Sequence, residues 1–180
     1  DPREGSEPLG VPAAAKIVSV KRRAGGITTG DMTDEEVYRK HAPELLRFAS
    51  GLVGPLDAQD VVSNAFLHSI QSPTWPRVRD RRPYLFRAVL NEVRMRHRST
   101  MRRRAREQLA AGPESVEPPQ VDVDVLAAVG ALSTRQRAVV FLTYWHDLAP
   151  NEIADLLDIS PGSVRRHLAR GRERLKDRLR

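Results

Sequence analysis

A chain of 180 residues can hold one medium domain or two small ones. Its formal net charge of +7 favours a polyanionic partner, nucleic acid first and an anionic membrane surface second. The lack of cysteine excludes disulfides, thiolate metal sites and cysteine nucleophiles, and no apolar run approaches the roughly 20 residues that cross a bilayer.

The first 32 residues carry Gly, Pro, Ser and the cluster Lys21-Arg22-Arg23 without a sustained period, and read as a disordered tail. Lys16 interrupts the apolar stretch Val11 to Val20, which makes a secretory signal a poor reading, and Met32 is a candidate start. "TDEE" at Thr33 to Glu36 has capping-box spacing. Val37, His41, Leu45, Phe48 and Leu52 follow at helical intervals until Gly54-Pro55 ends the run. Asp57 is placed to cap a second helix with the stripe Val61, Val62, Ala65, Phe66 and Ile70. After the loop "QSPTWPRVRDRRP", Pro83 suits the first turn of a third helix burying Leu85, Phe86, Val89, Leu90 and Val93. Beyond Val93 the apolar stripe fades into "RMRHRSTMRRRAR", which needs an anionic partner more than a core.

From Glu107 the chain turns acidic and proline-rich, "EQLAAGPESVEPPQVDVD", too poor in apolar residues to fold alone. Beyond it, Ser133 and Gln136 form a second capping box, opening a helix with Val139, Val140 and Leu142. Pro150 starts a short helix with Ile153, Ala154, Leu156 and Leu157 inward. Ser160 then caps a last helix whose stripe is Val164, Leu168, Gly171, Leu175 and Leu179. No segment alternates with period two, so the fold class is all-α: two small helical domains, 33–106 and 123–180, joined by a flexible acidic linker, 107–122, behind a tail, 1–32.

The helix Pro150 to Leu157, the turn Asp158 to Ser160 and the helix from Pro161 have helix-turn-helix spacing. With Val164 and Leu168 inward, Ser163, Arg165, Arg166, Ala169 and Arg170 share the outer face, where guanidinium forks reach guanine edges or phosphates. Arg172, Arg174 and Arg178 read as a solvated surface or as nonspecific phosphate contacts. No acidic or histidine cluster suggests a metal, a cofactor or an enzymatic step; the Asp and Glu residues lie at caps or in the linker.

The stretch "LSTRQRAVVFLTYWHDLAPNEIADLLDISPGSVRRHLARGRERLKDRL" resembles the region-four domain of extracytoplasmic-function (ECF) sigma factors, specificity subunits of bacterial RNA polymerase. "DAQDVVSNAFLHSI" followed by "RRPYLFRAVLNEVRMRHR" resembles their region two. The resemblance implies a cytoplasmic protein that takes core polymerase to promoters through the minus-ten and minus-thirty-five elements and helps open the DNA, with a linker running through the polymerase channels. Its implied partners are core RNA polymerase (β′ clamp coiled coil and β flap), promoter DNA and an anti-sigma factor; no membrane is implied.

For the minus-thirty-five element the resemblance implies Ser163, Arg165, Arg166, Ala169 and Arg170, and for the clamp Asp57, Asp60, Val61, Asn64 and Phe66. For the minus-ten element it implies Trp75, Arg87, Asn91, Arg94 and Arg98, Trp75 being equally readable as a base-stacking surface or a hydrophobic plug. Tyr84 and Phe86 match aromatic positions, core or contact, and Arg96 is a further phosphate candidate. Four positions depart from the family's pattern, the first being Leu90, which stands where an Arg is common before Asn91. Met95 stands where an Asp is common, Asp158 replaces a turn glycine, and Ala149 replaces a Ser cap at a cost of about 1 kcal/mol. The alternative, a free-standing helix-turn-helix regulator, leaves "DAQDVVSNAF" and the aromatic-basic third helix unexplained.

Overall fold

The computed structural model describes residues 32–110 and 123–179. These residues form α1 (Asp34–Val53), α2 (Pro55–Gln71), a 3-10 turn (Trp75–Arg77), α3 (Arg81–Ala110), α4 (Val123–Gly130), α5 (Thr134–Tyr144), α6 (Pro150–Leu157) and α7 (Pro161–Arg178). There is no strand among the described residues, and the fold is all-α. The expected disordered tail up to Asp31 and the linker stretch 111–122 lie outside the described residues.

Thr33 opens α1 through both halves of its capping box: its hydroxyl accepts from the Glu36 amide at 3.2 Å, and the Glu36 carboxylate accepts from the Thr33 amide at 2.7 Å. Val37, Leu45, Phe48 and Leu52 are buried as their spacing requires. Gly54, at φ 86°, breaks the run in a conformation that only glycine adopts freely. Asp57 does not cap α2. Pro55 fits the first helical position, so the helix starts ahead of Asp57, and its N-cap is Gly54 without a side-chain bond. Asp57 instead accepts from Arg96 Nη2 of α3 at 2.6 Å.

The first three helices close over Phe48, Phe66 and Phe86, all without solvent exposure. Burying each ring contributes about 1.5–3 kcal/mol against leaving it in water. Phe66 meets Tyr38 edge-on at 5.0 Å and Trp75 at 5.9 Å. Helix α3 continues to Ala110, so Glu107 to Ala110, the first residues expected in the linker, are helical.

Ser133 caps α5 with both halves of its box in place, accepting from the Gln136 amide at 3.3 Å. Ala149 offers α6 no side-chain acceptor, but its amide donates to Glu152 Oε2 at 2.7 Å, so half the box survives. Asp158 closes α6 in the left-handed region, at φ 56° and ψ 54°, the conformation expected where a turn glycine is usual. Ser160 caps α7 by accepting from the Ser163 amide at 3.1 Å. Val164 and Gly171 are buried, and a Cβ on Gly171 would lie 2.9 Å from Val140 Cγ2, which shows how closely α7 approaches α5. Leu179, expected to hold the helix down, is exposed beyond the last full turn.

The two helical sets are not held apart. One continuous apolar cluster runs from Val37 through Phe86 to Leu142, Ile153 and Val164, and Thr33–Arg180 is a single compact unit. Helix α1 packs on α5, and α3 packs on both α5 and α6.

Candidate nucleic-acid interface

The recognition surface follows from the seating of α7. Ala154 is buried at the α6–α7 crossing, and the Ile159 amide donates to the Ala154 carbonyl at 3.0 Å while its side chain packs on the core. Val164, fully buried, fixes the helix's rotation. Arg165, Arg166, Ala169 and Arg170 are therefore exposed together, with Ser163 half-buried beside the cap. Farther along, Arg172 Nε donates to the Tyr144 hydroxyl at 2.6 Å, and Arg174 reaches Gln136 Oε1 at 3.4 Å. Arg172 and Arg174 tie α7 to α5, whereas the arginines of its first half stand outward.

On α3 the guanidiniums are more committed. Arg81 donates to the Trp75 carbonyl and lies 4.1 Å over its ring. Arg82 forms a two-pronged pair with Glu44, and Arg96 is held by Asp57. Burial works against charge on Glu44, but the hydrogen bond and charge of Arg82 outweigh it and keep the carboxyl below its ordinary value. Arg87 and Arg94 are half-buried, Asn91 and Arg98 exposed. Arg87, Asn91 and Arg94 line a cleft of about 190 Å³, closed on its other side by Arg135, Val139, Leu157, Asp158 and Ile159.

Trp75 does not offer a stacking face. It is 4 % exposed, and its Nε1 donates to Asp34 Oδ1 at 2.8 Å, so the hydrophobic-plug alternative describes it. Phe86 is likewise core, and Tyr84 is half-buried at 5.7 Å from the Trp75 ring. On α2, Asp60 and Asn64 are exposed and Asp57 half-buried, while Val61 and Phe66 are buried and shape the helix from within. Leu56, 95 % exposed, extends that same α2 surface.

Sequence reasoning missed Arg135 and Arg137. Arg135 sits in the cleft, and its charge, with Arg170 and Arg166, adds to burial in pushing the His167 imidazole below its ordinary value. Its signal was its place in the first turn after the Ser133 cap, across from the cationic side of α7. Arg137 donates to four carbonyls beyond its own helix, those of Leu52, Val129, Gly130 and Leu132; nothing local in "TRQRAVV" marks that role.

Among the described residues no group of three His, Asp or Glu could hold a metal ion, and no helix is long and apolar enough to cross a membrane. An outward arginine face on a helix-turn-helix, joined to a second cationic helix, defines a DNA-binding protein of the all-α class. Residues 37–103 match the family described as Sigma-70 region 2, and residues 122–175 match Sigma-70, region 4.

An RNA polymerase sigma-E factor of Streptomyces antibioticus is 32 % identical over 154 residues, 81 % of this chain and 83 % of that one. The ECF RNA polymerase sigma factor SigE of Mycolicibacterium smegmatis is 29 % identical, over 81 % of this chain and 61 % of its own. Among solved structures, the sigma factor RpoE in complex with the anti-sigma factor NepR, from Bartonella quintana, shares the fold. Its TM-score is 0.55 at 23 % identity, covering 81 % of this chain and 95 % of that one. The chain belongs to the ECF sigma factors of bacterial RNA polymerase. Its function is that of a sigma factor in transcription initiation, and the free-standing regulator is set aside because both regions are present in order.

Proposed function

We propose that the first half of α7 reads the minus-thirty-five element, with Arg165, Arg166 and Arg170 toward base edges or phosphates and Ser163 and Ala169 completing the surface. The observation that carries this is the joint exposure of these residues on a helix whose opposite side is anchored by Val164 and Gly171. Arg87, Asn91, Arg94 and Arg98 serve the minus-ten element, without a base-stacking role for Trp75. Asp57, Asp60 and Asn64 meet the β′ clamp coiled coil on a helix shaped by Val61 and Phe66, and the second domain meets the β flap. The domain assignment is 33–106 and 123–180, with the acidic segment 107–122 between them.

The protein adds no catalytic step of its own and works in the cytoplasm beside the polymerase. An anti-sigma factor is a further partner in this reading, supported by the likeness to RpoE, which was solved with one. Reconstitution with core polymerase and a library of promoter fragments tests the assignment. Initiation should depend on both elements, and Arg166→Ala should weaken dependence on the minus-thirty-five element alone. Failure to form a complex with core polymerase would overturn the polymerase-facing assignments.

A further inference from the structure

Each residue of an α-helix turns the chain by roughly 100°, and that rotation sorts the cations of α3 by direction. Arg87, Arg94 and Arg98 lie within about 60° of Asn91, whereas Arg96 lies about 140° or more from all four. Its direction is that of Glu92, one turn earlier, whose Oε2 stands 3.4 Å from His68 Nδ1 of α2. Arg96 does the same: its Nη2 donates to Asp57 Oδ1 of α2 at 2.6 Å. The side of α3 that carries Glu92 and Arg96 is therefore turned to α2, away from the face assigned to DNA.

On α2, Asp57, Asp60 and Asn64 fall within about 60° of one another. Asp57 stands in the first turn, behind an N-cap, Gly54, that offers no side-chain acceptor. The amides of a first turn have no partner within the helix and attract a nearby carboxylate, so a free Asp57 can fold back on its own helix end. Arg96 opposes that by drawing Oδ1 toward α3, and a carboxylate keeps lone pairs for a second donor. Both members stay reachable, Asp57 at 48 % and Arg96 at 39 % exposure, whereas Glu44 under Arg82 is at 23 %.

We propose that Arg96 is a positioning residue for binding core polymerase: it holds the Asp57 carboxylate out beside Asp60 and Asn64 for a donor on the β′ clamp, and it contacts no promoter phosphate. This rests on the assignment of those three α2 residues to the clamp. Arg96 thereby leaves the DNA side, where the run of arginines around it points, for the polymerase side.

The core polymerase affinity of the full chain, titrated through a fluorescent label at its N-terminus, tests this. Arg96→Met keeps the stem and removes the donors. It should weaken core affinity by about two- to fivefold, the scale of an exposed ion pair, and Arg96→Lys should recover most of the loss. Both should melt at the parental midpoint, because a half-exposed pair contributes little to folding. Asp57→Asn should also weaken core affinity, and Arg96→Met should add nothing to it, since the guanidinium acts only through that carboxylate. Fluorescent mixed-sequence single-stranded DNA, bound at low salt, should keep its parental salt slope in Arg96→Met; a lost phosphate contact would lower the slope by about 0.7.

Parental core affinity in Arg96→Met, or losses that add in the double variant, would overturn the positioning role. A lowered salt slope would return Arg96 to the DNA contacts. A fall in melting temperature that accompanies the loss and is not rescued by lysine would make the pair merely structural. If Asp60→Asn weakens core binding and Asp57→Asn does not, only the part given to Arg96 falls. If neither does, the clamp assignment fails, and the positioning role with it.

Discussion

Two cationic helices carry the candidate DNA contacts, and they present their charge in opposite ways. On α7 the first-half arginines stand in solvent, while Arg172 and Arg174 brace the helix against α5. On α3, Arg81, Arg82 and Arg96 are engaged with Trp75, Glu44 and Asp57, and Arg87 and Arg94 face the cleft under the other domain. Counting arginines therefore does not locate a nucleic-acid face. What locates it is which guanidiniums remain after carbonyls and carboxylates have taken theirs.

The contrast is broken most severely from below. Phe66→Ala removes the ring packed between Tyr38 and Trp75 and should cost about 3–5 kcal/mol in urea unfolding, taking the α2 and α3 surfaces with it. Retention of parental stability would mean that Phe66 is not the core residue described. A smaller effect tests the open side: Arg166→Ala should cost about 1–3 kcal/mol of minus-thirty-five affinity in a gel-shift titration with unchanged melting, because the side chain supports nothing beneath it. A drop in melting temperature instead would make Arg166 a structural residue.

Adding a cap gives a gain of about 0.5–1 kcal/mol. Ala149→Ser supplies the acceptor that α6 lacks and should raise the midpoint of thermal unfolding without altering DNA preference. Acid probes the covered side. His41, His146 and His167 are each held below the ordinary histidine value of 6.5, mainly by burial, with neighbouring cations assisting. Their neutral forms are favoured in the folded state, so the unfolded chain takes protons first. The stability they contribute is fully present above about 6.5 and is lost as pH falls toward the depressed folded values. Urea midpoints should fall between pH 7.5 and 5.5, and His146→Gln should flatten part of that slope. Glu44 adds a loss only at lower pH, since its carboxyl is held below its own ordinary value.

The elements legible in the sequence were those written by near neighbours. The caps at Thr33, Ser133 and Ser160 span three residues, and the buried stripes of α1 to α3 repeat every turn, so each could be read from a short window. The left-handed Asp158 was readable for the same reason. Less legible were pairings set by the fold. Asp57 looks like a cap until Arg96, 39 residues away, takes its carboxylate. Trp75 looks equally suited to a base or a core until Asp34 satisfies its indole. The union of the two helical sets had no local sign except Gly51 inside α1, where a Cβ would meet the Phe141 ring of α5.

Gly171 carries a consequence for how this protein's specificity can diversify. Because the absence of a side chain there lets α7 rest on Val140, that contact sets the clock angle of the whole recognition helix. One residue inserted between Ser160 and Gly171 would turn the arginine face by roughly 100° relative to that seat. Substituting the outward residues leaves the seat untouched. Mechanical indexing and chemical reading thus reside in different side chains, so selection can rewrite the target sequence one outward residue at a time while the helix keeps its bearing.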